Sequence, residues 1–305
     1  MAKAVSRLEE LIPHSRFLMP VMGAIGGSGR SVVAGLLADA FAASGETVLL
    51  DLAPRLTSPW PRWTPGTTGG LAALPPDQPA SRSQARAAAA TAASSGGLAA
   101  WQVLTDHLPW HAPPLVLPDE PEAWEQLAAI GGWQAVVIDT PHPFTHDVMT
   151  AHHTGIAGLS ARWCSLPCAV PVLCAAATGD GIAELQTAVL AAEAAGLPLA
   201  RIVVALVAIG DGRLPAPVKA GATMLQPKVG AIIHVPYDER IRSHGLSNAA
   251  RLKPRTLAAG RELAEAALSS AHASWGQTLP HAAVPAAYTE GTTYRGLAHV
   301  ADHPR

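Results

Sequence analysis

Residues 17–44 read FLMPVMGAIGGSGRSVVAGLLADAFAAS. Phe17 to Ala24 form a short apolar run of strand length, Ile25 to Ser31 a loop rich in glycine, and the residues from Ser31 to Ser44 an Ala/Leu-rich stretch of helical length. Gly26, Gly27 and Gly29 accept backbone angles closed to other residues, so successive N–H groups can converge on an anion where the helix begins. Against the general phosphate-loop pattern GxxxxGK[ST], Ala24 replaces the first glycine and Arg30 the lysine, while Gly29 and Ser31 match. Taken alone, the loop also reads as a plain Gly/Ser turn joining a strand to a helix.

The rest of the chain supplies context. Short β-branched runs alternate with longer Ala/Leu-rich stretches, which is how a parallel sheet flanked by helices is written. Strands are expected over Phe17–Ala24, Thr47–Leu50, Leu115–Leu117, Ala135–Ile138, Val170–Cys174, Ile202–Val207 and Val229–His234. Helices are expected over Ser31–Ser44, Pro121–Ala129, Gly181–Ala195 and Arg255–Ala273. The implied fold is a single doubly wound α/β domain with a mainly parallel sheet and the glycine loop at the carboxyl end of the first strand. Its expected bounds are 17–275, after an N-terminal extension over 1–16 and before a surface tail over 276–305. Residues 54–114, rich in Pro, Trp, Gly and Ser, read as an insert, and SQARAAAATAASSGG within it as one helix or a mobile piece.

Two further apolar runs end in acids, one at Asp51 and the other, WQAVVIDTP, at Asp139. A carboxylate ending a buried strand beside a phosphate loop is the usual place for holding Mg2+ through water, with a hydroxyl such as that of Ser31 as a ligand.

In this succession of motifs the chain resembles the ParA/MinD family of deviant P-loop ATPases, from about Phe17 to Ala273. The family's KGGxGK[ST] loop falls on Ile25-Gly26-Gly27-Ser28-Gly29-Arg30-Ser31, its DLDPQ motif on Asp51-Leu52-Ala53-Pro54-Arg55, its magnesium strand on Val136 to Pro141, and its PxD base loop on Pro236-Tyr237-Asp238. The resemblance implies that Gly26, Gly27, Ser28, Gly29, Arg30, Ser31 and Val32, with Pro236, Tyr237 and Asp238, hold ATP or another nucleotide. It also implies that Ser31, Asp51 and Asp139 serve Mg2+. Three catalytic positions depart from the pattern: Ile25 replaces the lysine that reaches a dimer partner's phosphates, Arg30 the phosphate lysine, and Ala53 the acid that positions the attacking water. The asparagine usual near adenine has a single candidate, Asn248. Phosphoryl transfer relies on positioning and charge stabilisation, so weak or absent hydrolysis is expected.

Other features set bounds. A formal charge of −2 over 305 residues gives no overall basic excess that would demand nucleic acid or an anionic membrane. Arg240, Arg242, Arg251, Lys253 and Arg255 read as a solvated face, with Asp238 and Glu239 beside them. Cys164, Cys168 and Cys174 lack paired CxxC spacing and read as buried thiols, and His142, His146, His152 and His153 as solvated or hydrogen-bonded side chains. The first residues carry Glu9 and Glu10 and no apolar run of signal length, so a cytoplasmic protein is expected. Most tryptophans read as packing, with SPWPRW as a protein-binding surface in the alternative, where Trp60 and Trp63 anchor a partner in a nucleotide-dependent way.

The implied role is a nucleotide-responsive accessory to positioning, segregation, secretion or conjugation machinery, working with a protein partner, with a homodimer as a candidate assembly. Two rivals differ in class: a non-catalytic pseudo-ATPase scaffold, and an enzyme of another P-loop branch, such as a small-molecule kinase or ligase, in which Asp51, Asp139 or a histidine serves a second substrate.

Overall fold

A computed structural model describes residues 11, 15–65, 69–74, 79–93, 99–247 and 252–282. Most of the expected extension over 1–16, parts of the insert, Asn248, Arg251 and the tail from 283 onward lie outside the described residues.

The strands are β1 (Phe17–Gly23), β2 (Thr47–Asp51), β3 (Ala90–Ala93), β4 (Ala100–Leu104), β5 (Ala135–Pro143), β6 (Val172–Ala176), β7 (Val203–Val207) and β8 (Ala231–Val235). Among the described residues they make one eight-stranded sheet in the order β3-β4-β2-β5-β1-β6-β7-β8. All neighbours run parallel except β3 and β4. The helices are α1 (Arg30–Phe41), α2 (Trp60–Trp63), α3 (Arg82–Ala88), α4 (Pro121–Gly131), α5 (Phe144–Thr154), α6 (Leu159–Ser165), α7 (Gly179–Ala194), α8 (Ala216–Leu225), α9 (Glu239–His244) and α10 (Pro254–Trp275). The expected doubly wound, mainly parallel α/β fold is the fold observed.

β1 and the first half of β5 are apolar because both of their faces are covered. In β1 and β5, Phe17, Met19, Val21, Ala135 and Val137 join the core formed with α1 and α10. Their neighbours Leu18, Val136 and Ile138 join the opposite core with α4 and α6, and Met22 a third beside α5 and α7. This is the period of two expected of a strand sandwiched between helix layers.

Two expectations are corrected at the sheet edge. Leu115–Leu117 is not a strand, although Leu115 and Leu117 pack on the core. Pro113, Pro114 and Pro118 beside them have no N–H to give to a ladder. The place beside β2 is taken instead by β4, with β3 antiparallel outside it. Part of the Ala-rich piece expected as a helix or mobile segment is therefore strand β3 after the short helix α3. Alanine favours helix only weakly over the length of a few residues, and the open hydrogen-bonding edge of β4 outweighs that preference.

Candidate functional site

The glycine loop leaves β1 at the centre of the sheet. A Cβ on Gly23 would lie 2.5 Å from Ser28 Oγ and 2.6 Å from the Ile25 carbonyl oxygen, so the loop folds back directly over the strand end. Gly27 and Gly29 sit at φ 77° and 81°, in the left-handed region that favours glycine. At Gly29 a side chain would also meet Val207 Cγ1 at 2.8 Å. The loop is pinned from two sides, Ala24 N donating to the Cys174 carbonyl (2.9 Å) and Thr145 Oγ1 to the Ala24 carbonyl (3.1 Å).

Gly26 and Gly27 are exposed at the crest while Ser28 is buried. The helix α1 begins without a side-chain cap, and Val33 N donates to the Gly29 carbonyl at 3.0 Å. The N–H groups of Gly29, Arg30, Ser31 and Val32 precede that bond and stand outside the helical ladder, at the positive end of the helix dipole. Ile25 is 41% exposed.

The two acids follow from strand parity. Leu49 and Val137 face α1, and two residues further on so do Asp51 and Asp139, which are register partners on β2 and β5. Asp139 is fully buried, and Arg30 Nε donates to its Oδ1 at 2.8 Å. Its Oδ2 accepts the indole N–H of Trp60, also at 2.8 Å. The Asp51 carboxylate accepts three donors: Ala53 N (3.1 Å) on Oδ1, and Ser58 Oγ (2.6 Å) and Thr105 Oγ1 (2.5 Å) on Oδ2. Burial, together with the charge of Asp139, pushes the Asp51 pKa up to about 7, against the opposing pull of those three hydrogen bonds.

Sequence reasoning missed the group that joins this site to the insert. Trp60 is fully buried, with its ring edge-on to Trp63 (5.1 Å) and Trp101 (6.0 Å), and it lies over α1 where Gly35 leaves room. Ser58 accepts from Trp60 N while donating to Asp51, so the first turn of the insert is fastened to both acids. Trp60 is thus no exposed anchor for a partner, and Trp63 is half-buried. The only sequence hints were the closeness of SPW to Asp51 and the glycine inside α1.

The base-loop residues Pro236 and Tyr237 are half-buried after β8. Asp238 is buried and accepts Arg240 N (3.0 Å), Lys253 N (2.9 Å) and Thr256 Oγ1 (2.8 Å), which fixes the loop to the starts of α9 and α10. Burial alone would raise its pKa, but these donors hold it below the usual value. Arg255 Nη2 donates to the Tyr237 carbonyl at 2.9 Å.

The remaining candidates stand apart. Asp147 accepts Leu159 N and Ser160 N at the start of α6, and His142 lies 3.1 Å from Ser160 Oγ. All three cysteines are free and buried, and no cluster of three or more His, Cys, Asp or Glu side chains among the described residues is placed to hold a metal ion. Lys253 pairs with Glu239 and Arg255 with Asp211, in keeping with a solvated basic face. No helix among the described residues is long and apolar enough to cross a membrane.

The donor set does not fit the expected Mg2+. Both Asp139 oxygens already accept charged or polar N–H groups, and a divalent ion sharing Oδ1 would sit against a guanidinium. Asp51 is likewise surrounded by donors, Ala53 N beside it and Ser58 and Thr105 from the insert.

No protein-family model matches the chain, and no curated protein matches it in sequence. Solved structures do match. A ParA family ATPase from Chlorobium tepidum TLS superposes with a TM-score of 0.54 at 12% identity, covering 82% of this chain and 99% of its own. A chain of the MinC:MinD cell division protein complex from Aquifex aeolicus matches with a TM-score of 0.51 at 13% identity, over 88% and 99%. A Borrelia burgdorferi B31 protein bound to AMPPNP matches with a TM-score of 0.50 at 13% identity, over 84% and 99%. The likeness is one of fold, and it is the ParA/MinD-like fold expected from the motifs.

Proposed function

We propose that this ParA/MinD-like chain binds the phosphates of a nucleoside triphosphate, ATP first, on the loop from Gly26 to Val32, and works as an accessory switch with weak or absent hydrolysis. The observation that carries the reading is the open crest of Gly26 and Gly27 over an uncapped helix start, in a loop whose glycine angles and pinned ends preform it. Backbone N–H groups aimed along a helix dipole bind phosphate without any side chain. Pro236 and Tyr237, held in place by Asp238, supply the wall for the base. The loss of turnover follows from Ile25, Arg30 and Ala53, which offer neither a trans lysine, a point-like phosphate lysine nor a water-positioning acid.

In this reading the protein acts in the cytoplasm with a protein partner, as a monomer or homodimer, on positioning, segregation, secretion or conjugation machinery. Its support is the shared fold of the ParA ATPase and of the MinC:MinD complex. A pure scaffold is the second reading, and the engagement of both acids by the insert favours it. Calorimetry with ATP, ADP and GTP separates the two. Saturable binding that Gly29→Ala removes supports the nucleotide site, since a Cβ there strains the loop and strikes Val207. Heat signals absent for all three nucleotides, in wild type and variant alike, leave the scaffold.

A further inference from the structure

We infer that Arg30 is the built-in cation of this site, standing between the Asp139 carboxylate and a bound anion in place of a divalent metal, so that phosphates are held without Mg2+. The inference rests on the nucleotide reading for the identity of the anion, but its core concerns what Asp139 holds. Asp139 is fully buried within the central strand β5, where an uncompensated charge is very costly. Its two oxygens are served by groups of different kinds, Arg30 Nε carrying the positive charge and Trp60 Nε1 a neutral N–H.

Arg30 is the first residue of α1, so its backbone belongs to the loop's anion-facing end while its side chain turns back to the strand. The guanidinium has five N–H donors in a rigid fork, and Nε uses one of them. The two Nη nitrogens make no hydrogen bond among the described residues, and the side chain keeps 21% of its surface in solvent. A guanidinium bound to a carboxylate by one edge can accept a phosphate on the other, which is the bridging task a metal performs by coordination. A lysine ammonium touches two anions only as a point charge, whereas the planar fork holds the carboxylate and the phosphate on separate, directed edges, so the departure from the phosphate-loop pattern at position 30 becomes a specificity device. Trp60 completes it by occupying the oxygen that Arg30 leaves.

The test has two arms on the full-length protein. In the first, ATP is titrated in EDTA and again in excess Mg2+. Affinities agreeing within about threefold support the inference, and a loss of about tenfold or more in EDTA overturns it. In the second arm, Mn2+ is titrated without nucleotide and followed by electron paramagnetic resonance, in wild type, Arg30→Ala and Arg30→Gln, two variants so that one misfolded protein does not decide the matter. The expected result is no bound Mn2+ in wild type and a bound signal in a folded Arg30 variant, lost again when Asp139→Asn is added. Binding to wild type that Asp139→Asn abolishes, or no binding in any folded variant, overturns the inference. If ATP binds under neither condition, the nucleotide reading fails by itself, and the Mn2+ arm still decides what Asp139 holds.

Discussion

Asp51 makes the sharpest prediction at the scale of a residue. Its pKa rises from an ordinary value of about 3.9 to about 7 in the folded protein. Between those values the native state binds more protons than the unfolded chain. Stability therefore falls as pH rises through that window, with a slope that approaches about 1.4 kcal/mol per pH unit. Urea unfolding at pH 5 and pH 8 should show wild type losing stability relative to Asp51→Asn, which has no such proton to release. Parallel pH profiles for the two proteins would refute the assignment. Arg30→Ala, by contrast, strips the buried Asp139 of its charged partner, and a destabilisation of about 3 kcal/mol is expected. Adding Asp139→Asn to that variant should recover part of it, because the amide has no charge to leave uncompensated; no recovery in a double-mutant cycle would mean that the pair is not coupled.

At the scale of elements, the contact between α1 and the start of the insert holds the site together. Gly35 lies inside α1, where alanine would ordinarily be the better helix former. Here a Cβ would fall 2.2 Å from Leu246 Cδ1 and 3.0 Å from Trp60 Cη2. Gly35→Ala should thus destabilise by about 1–3 kcal/mol through overpacking despite its gain in helix propensity, and a rise in melting temperature would contradict this packing. Trp60→Phe keeps most of the ring but removes the N–H that serves Asp139 Oδ2, at an expected cost of about 1–3 kcal/mol. Hydrogen exchange should locate the damage in residues 54–64 and around Asp139 in β5. Uniform loosening of the whole sheet would point to lost core volume instead.

For the whole molecule, one sheet carries helices on both faces, and the insert shares its core: Trp60 and Trp101 belong to the same cluster as α1 and α10. Segments that share a core unfold together. Tryptophan fluorescence, which follows the insert strongly, and far-ultraviolet circular dichroism, which follows the helices, should report superimposable urea transitions. An earlier fluorescence transition would mark the insert as a separately melting layer.

What the sequence determined by itself is what local chemistry encodes: the glycines of the loop, the apolar runs of the central strands, and the acids at their ends. Parity puts Asp51 on the side of Leu49 and Asp139 on the side of Val137, and the parallel register of β2 with β5 then sets both acids on one face. The edge strands β3 and β4 were not legible, since AAAATAA carries no periodicity and takes its form from the edge it pairs with. Nor was the use of the acids. That Asp139 faces Arg30 and Trp60, from positions 109 and 79 residues away in the chain, is decided by the packing of α1 on β5 and of the insert onto α1. Burial then compels each carboxylate oxygen to find a donor, and which donor it finds is a matter of tertiary proximity that no local pattern records.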